Sequence, residues 1–328
     1  MKEIKWGIIG CGDVTEIKSG PAFNKVKNSS LIAVMRRNGE KAKDYASRHH
    51  VPKWYNDAMK LINDKDVNAI YIATPPSSHE SYTLAALRAG KPVYVEKPMT
   101  VNFSSAIKMM HAAKETNIKL CVAHYRRAQP YFKKIKQLID DKTIGEVRFA
   151  NLHFYKKLLS TDELELPGNK WRVNAVVSGG GLFHDLAPHQ LDLMYYFFGD
   201  IEHANGIDVN QSHLYNADDL VTGNILFKNG IVFNGIWCFN TNSENERDIC
   251  EIIGSEGSIS FSVFNEQKIF LTKNGTTEII SFIPPQHVQQ PMIEKVVDYF
   301  LDEGLNPCSA EDGVEVMRLM DIFTHHIK

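Results

Sequence analysis

The sequence predicts an α/β domain with a doubly wound parallel sheet, followed by a β-rich domain, and three observations carry that expectation. Ile4, Trp6, Ile8 and Ile9 form a short apolar run that ends directly in Gly10-Cys11-Gly12, as a buried strand entering a tight turn does. Strand-like apolar runs then alternate with helical patterns as far as Ala123. Beyond that point strand-like segments dominate, with hairpin turns at Asn229-Gly230 and Asn274-Gly275 that favour antiparallel pairing. A chain of 328 residues can bury two cores, so the expected domains are residues 1–122 and 123–328.

The first strand and its turn set the chemistry of the first domain. Gly10 permits a tight turn, and Gly12 lets a phosphate approach the backbone because no Cβ intervenes. A helix that starts near Asp13 leaves backbone N–H groups, those of Asp13 and Val14 included, unpaired at its positive end, where a pyrophosphate binds favourably. Thr15 stands where the usual fingerprint has a third glycine, which predicts looser packing of this helix on the strand. The second strand, residues 31–35, delivers Arg36 and Arg37 to the place where a carboxylate about 20 residues past the glycines commonly holds a ribose 2′-hydroxyl. Guanidinium groups pair with phosphate, so Arg36 and Arg37 point to NADP, with NAD as the alternative; a solvated basic pair at a strand end is the plainer account.

A helical pattern at residues 40–49 and a capped helix at 56–64 lead to a third strand, 69–73, which stops at Thr74-Pro75-Pro76 because proline cannot continue the ladder. His79 follows in the loop before a helix at 82–89, either facing a ligand crevice at the carboxyl edge of the sheet or exposed. A fourth strand, 92–95, ends in Glu96-Lys97-Pro98, and a helix at 104–116 and strand at 118–123 complete the alternation. In the second half, a helix bearing Ile135, Leu138 and Ile139 precedes a strand at 146–155. The stretch 156–177 reads as irregular and long, hence as a candidate substrate loop. After a helix that starts near Gly181, strands are expected at 201–209, 220–227, 231–239, 249–253, 258–263, 268–271 and 278–282, and helices at 290–301 and 310–325.

Thirty-seven basic and thirty-nine acidic residues leave a net charge of −2, which offers no field for nucleic acid or an anionic membrane. No apolar run approaches the roughly 20 residues of a membrane span, and the N-terminus has no signal-peptide pattern, so a cytoplasmic location is expected. Five cysteines without CxxC or metal-like spacing read as reduced, buried thiols.

Two stretches could carry catalysis. In SGGGLFHDLAPHQLDLM, Asp185 and His189 lie four apart and share one helix face, although Pro188 between them invites a kink. His189 can exchange a substrate proton, and Asp185 can orient a hydroxyl or tune the imidazole; a surface ion pair is the commoner fate of such a spacing. No third ligand is near enough in sequence to suggest a metal site. Lys97, at the carboxyl end of a parallel strand, can hydrogen-bond a substrate oxygen and stabilise charge developing on it, or can be an ordinary charged strand end.

Taken in order, GCGDVTE, ATPPSSH, VEKP, Tyr125-Arg126-Arg127-x-x-Pro130, Trp171-Arg172 and SGGGxxxDxxxH resemble the glucose–fructose oxidoreductase / inositol dehydrogenase / rhizopine-catabolism (Gfo/Idh/MocA) family. The resemblance runs from Lys2 to about His325 and implies an N-terminal Rossmann domain followed by a domain with an open, mostly antiparallel sheet. It implies catalytic roles for Lys97, Asp185 and His189, and cofactor contacts for Gly10, Gly12, Thr74, Pro75, His79, Glu96 and Arg127. Trp171 and Arg172 match a segment near nicotinamide and substrate, and the Lys97-Pro98 bond is expected to be cis. The implied reaction is hydride exchange with a hydroxyl-bearing carbon of a sugar, inositol or related polyol, in a homodimer or homotetramer. An NAD-dependent glycoside hydrolase that uses transient oxidation, and a non-catalytic cofactor-binding sensor, are the alternatives.

Overall fold

The structure is a computed structural model that describes residues 2–325. The chain divides into two units, one comprising the chain through Gln129 together with Pro285–Glu315, the other Pro130–Pro284 together with the chain from Val316 onward.

The first unit contains strands β1 (Ile4–Ile9), β2 (Ser29–Met35), β3 (Lys53–Tyr55), β4 (Ala69–Ile72), β5 (Val93–Val95) and β6 (Leu120–Val122). They pair in parallel in the order β3-β2-β1-β4-β5-β6, so the chain reverses its direction of growth between β1 and β4, the place where such sheets bind ligands. The expected doubly wound sheet is therefore present, with one strand more than the sequence suggested. β3 is three residues long and lies at the edge with Trp54 exposed, so it carries neither an apolar run nor an alternation.

The single domain boundary expected after residue 122 differs from this division, because Pro285–Glu315 returns to the first unit. The cause is non-local packing. Helix Gln290–Phe300 buries Met292, Ile293, Val296, Val297 and Phe300 along one face, and the Phe300 ring lies 5.6 Å from that of Trp6 on the central strand. Each such side chain contributes about 2 kcal/mol on burial, enough to fix the helix there, but nothing in its own sequence names the partner.

The second unit holds β7 (Val147–Lys157), β8 (Ile201–Val209), β9 (Leu220–Phe227), β10 (Val232–Thr241), β11 (Arg247–Gly254), β12 (Gly257–Phe261), β13 (Lys268–Lys273) and β14 (Thr276–Ser281). Their order is β14-β13-β12-β11-β7-β10-β9-β8, and every neighbouring pair is antiparallel except β7 with β10. One face buries Leu152, Phe154, Trp237 and Ile252. Helix Gly181–Phe198 covers it through the Phe183 ring, 5.3 Å from Trp237, and through the Trp237 indole N–H, which donates to Gln190 Oε1 at 2.6 Å. The helix continues through Pro188.

The stretch 156–177 is less irregular than expected. β7 extends to Lys157, and short helices form at Thr161–Glu165, Pro167–Lys170 and Ala175–Ser178. The first begins with a capping box, in which Glu163 N–H donates to the Ser160 hydroxyl and Ser160 N–H to the Glu163 carboxylate, a pairing that Ser-x-x-Glu already spells in the sequence. Among the described residues no helix is long and apolar enough to cross a membrane.

Candidate active site

In the first unit the glycine turn follows β1 at the carboxyl edge of the sheet. Gly10 has φ +97°, and a Cβ there would lie 2.7 Å from Thr74 Cγ2 and 2.8 Å from the Ala73 carbonyl, so only glycine fits. Gly12 is different. A Cβ on it would meet nothing of the protein nearer than 4.0 Å, so its bareness leaves room for a group from outside, and a pyrophosphate fits. Helix Asp13–Ile17 starts here without a side-chain cap, and the N–H groups of a helix's first turn, Asp13 and Val14 among them, have no acceptor within the helix.

Thr15 does not loosen this packing, contrary to expectation. It is fully buried, its hydroxyl donates to Gly12 O at 2.7 Å, and its own carbonyl accepts from the Tyr45 hydroxyl at 2.7 Å. The threonine thus replaces close glycine packing with hydrogen bonds. Arg36 Nη1 donates to Cys11 O at 3.4 Å, which places the guanidinium over the turn, and β3 fixes its backbone through Arg36 N–H to Tyr55 O at 3.1 Å. Arg37 is exposed. Burial pushes the Cys11 thiol up to about 11, so it stays protonated and unreactive.

His79 does not lie in an exposed loop. It opens helix His79–Arg88 and is fully buried, with Nε2 at 2.7 Å from Thr74 O and Nδ1 at 3.0 Å from Pro98 O. Burial lowers its pKa to about 4, so near neutrality the ring is uncharged and donates to one carbonyl at a time. Its place is structural: it ties the Thr74-Pro75 loop to the loop that carries Lys97. Thr74 Oγ1 accepts from the Ser78 hydroxyl at 2.8 Å, and the Pro75 carbonyl from the same hydroxyl at 3.0 Å.

The Lys97-Pro98 bond is cis, as the resemblance implies. Lys97 is half-buried at the tip of β5, whereas Glu96 is buried and its carboxylate is taken up inside the unit. Glu96 Oε1 accepts from the Tyr71 hydroxyl at 2.5 Å and from Gln289 Nε2 at 2.6 Å, and Oε2 from Lys97 N–H at 3.2 Å. Burial, and then the Glu96 charge, hold the Tyr71 hydroxyl well above its usual range, so it remains a donor. Glu96 therefore fixes the backbone of Lys97. Tyr71 and Gln289 were missed from sequence. Tyr71 had a signal, a polar tip in an otherwise apolar strand; Gln289 had none. Arg127 is also buried, and pairs with Asp312 at 3.2 Å.

In the second unit Asp185 and His189 stand one turn apart on helix Gly181–Phe198. Arg172 Nε donates to Asp185 Oδ2 at 2.7 Å, and its guanidinium carbon lies 4.7 Å from the centre of the Trp171 ring. Trp171, Arg172 and Asp185 thus form one cluster, in which a cation and a carboxylate balance each other. His189 is buried, and its ring centre lies 5.6 Å from that of Phe264 at an interplanar angle of 77°. Among the described residues no group of three or more His, Cys, Asp or Glu is placed to hold a metal ion.

Residues 4–124 match the family described as "Oxidoreductase family, NAD-binding Rossmann fold", and residues 132–260 match "GFO/IDH/MocA C-terminal domain". The chain is 48% identical over 320 residues to "Oxidoreductase P35" of Formosa agariphila, covering 98% of each chain. It is 25% identical to the 1,5-anhydro-D-fructose reductase of Ensifer adhaerens, over 94% of this chain and 92% of the relative. A levoglucosan dehydrogenase solved with NADH and levoglucosan superposes with a TM-score of 0.87 at 22% identity, covering 98% of this chain and 96% of that one.

Proposed function

The chain belongs to the Gfo/Idh/MocA oxidoreductase family, and from that premise we propose that it oxidises or reduces a hydroxyl-bearing carbon of a sugar, inositol or related polyol with a nicotinamide dinucleotide, NADP in preference to NAD. One observation carries the reading. The open glycine turn after β1 and the lysine after β5 lie at the same carboxyl edge of one parallel sheet, where a dinucleotide and an oxygen-polarising cation belong. When bound, the cofactor supplies the carbon that exchanges hydride.

The remaining work falls to side chains. The Gly12 backbone and the N–H groups of Asp13 and Val14 hold the pyrophosphate. The Lys97 ammonium donates to the substrate oxygen and stabilises negative charge as it grows there. His189 takes a substrate hydroxyl proton during oxidation and returns it during reduction. Asp185 accepts from a neighbouring hydroxyl while Arg172 fixes its carboxylate, and Trp171 with Arg172 contributes to binding the substrate. Turnover measured as NAD(P)H absorbance, with each cofactor against a panel of aldoses, ketoses and inositols, tests the proposal. Net hydride transfer with at least one polyol is expected. Release of sugar from an aryl glycoside without added cofactor and without net NAD(P)H would replace this reading with the hydrolase one.

Arg36 supports the preference for NADP, because its guanidinium over the glycine turn can pair with a ribose 2′-phosphate. Arg36→Ala is expected to lower kcat/KM for NADP by about 10- to 100-fold, the range for a hydrogen bond to a charged group, and to leave NAD within about threefold. Equal losses with both cofactors would argue against that contact.

The outer face of the second sheet supports a homo-oligomer. Asn205, Asn224, Asn234 and Asn151 are in register across β8, β9, β10 and β7, and bond pairwise at 3.2 Å, Asn224 to Asn205 and Asn234 to Asn151. Phe149, Val232, Ile249 and Ile207 stand exposed beside this row. An amide both donates and accepts, so an uncharged amide row flanked by apolar side chains can meet its own copy across a two-fold axis, which a row of like charges cannot. Ile249→Asp combined with Val232→Asp is expected to convert the oligomer to monomer in sedimentation velocity. An unchanged mass would place the interface elsewhere. Five free cysteines, four of them buried, support the cytoplasm as the compartment.

A further inference from the structure

We propose that Phe264 is a positioning residue for His189, and that Asp248 holds Phe264 where it can act; the inference rests on the reading of His189 as the proton-transfer group. Phe264 sits in the turn that joins β12 to β13, a segment with no motif of its own. Its ring packs at 77° to the His189 imidazole, with centres 5.6 Å apart, and also lies 5.1 Å from the Phe154 ring on β7. An aromatic ring set against an imidazole restricts rotation of that ring, and so fixes the direction in which its nitrogens point.

The turn is itself held rigidly. Asp248 is buried on β11, directly across from Phe154, and its carboxylate accepts three consecutive backbone N–H groups: Val263 at 3.1 Å, Phe264 at 2.7 Å and Asn265 at 3.0 Å. The Ser262 hydroxyl donates to Glu266 O at 2.8 Å, and the Tyr131 hydroxyl lies 3.1 Å from both Ser262 O and Lys268 O, the two ends of the turn. A carboxylate satisfied by three main-chain donors is a strong constraint in the interior, well beyond what an ordinary hairpin turn needs. Its consequence is a fixed ring beside the imidazole. Side chains that act in proton transfer lose rate steeply with small displacements, so a device that holds the ring steady belongs beside such a group.

The test compares Phe264→Leu, Phe264→Met, Phe264→Tyr, Asp248→Asn and His189→Ala in the full chain. With the polyol and cofactor that give best turnover, Phe264→Leu and Phe264→Met are expected to lower kcat by roughly 10-fold or more with KM within about twofold, while Phe264→Tyr, which keeps the ring, retains most of the wild-type rate. In the His189→Ala background, Phe264→Leu is expected to cost nothing further in kcat, since it acts through the missing imidazole. Additive losses would mean a merely structural role and would overturn the proposal. A wild-type kcat for His189→Ala would instead overturn the reading of His189 itself. An independent readout needs no substrate. In protein carrying 13C-labelled histidine, with the His189 resonance assigned from its loss in His189→Ala, the imidazole signal is expected to move in Phe264→Leu and Asp248→Asn and to return in Phe264→Tyr. A signal unmoved in both Phe264→Leu and Phe264→Met refutes the positioning role.

Discussion

Lys97→Met is expected to lower kcat/KM for polyol oxidation by about 10²- to 10³-fold, the cost of removing one donor aimed at an oxygen on which charge develops. Methionine keeps most of the aliphatic stem and deletes the ammonium, so a change of this size reports the charge and its N–H groups rather than packing. The structure gives Lys97 little freedom in its backbone: its N–H is held by Glu96, and Glu96 by Tyr71 and Gln289. Lys97→Arg is expected to recover little, because a planar fork cannot occupy the place of a compact ammonium. Fluorescence titration with NADPH should show cofactor affinity nearly unchanged in the methionine variant, which separates loss of chemistry from loss of binding. A Lys97→Met enzyme within threefold of wild type would remove the lysine from the mechanism.

What was legible in the sequence was local. Gly10 and Gly12 announce themselves because a strand must end in a turn and a helix must begin, and both demands fall on adjacent residues. The places of Lys97-Pro98 just past a strand and of Asp185 and His189 on one helix were legible for the same reason, since strand ends and i, i+4 spacing are written along the chain. What was not legible depends on residues distant in sequence. Gln289 reaches Glu96 across 193 positions, and helix Gln290–Phe300 joins the first unit through a contact with Trp6. β3 escaped notice because three residues at a sheet edge have no periodicity to read, although Arg36 depends on it. His79 was misplaced because Pro76 suggested a loop, whereas a 3-10 turn at Pro76–Ser78 leads directly into the helix and draws the imidazole inside. Phe264 looks like any turn residue until the buried carboxylate of Asp248 is seen behind it.

His189→Ala is expected to lower kcat by roughly 10²-fold or more, the usual worth of a positioned general base, with a smaller change in KM. Burial of the imidazole beside Phe264 favours this outcome, because a ring held in one orientation transfers a proton without first reorganising. The proton path is distinguishable from the redox step. If His189 only accepts the hydroxyl proton, a primary isotope effect on the transferred hydrogen should persist or diminish in the alanine variant, and a solvent isotope effect should change. Asp185→Asn offers the contrast. It keeps an acceptor for a neighbouring hydroxyl but loses the charge that engages Arg172, so its cost should fall mainly on KM. Should His189→Ala retain wild-type kcat while Asp185→Asn loses it, the proton acceptor would be the carboxylate, and the imidazole a packed neighbour on the same helix face.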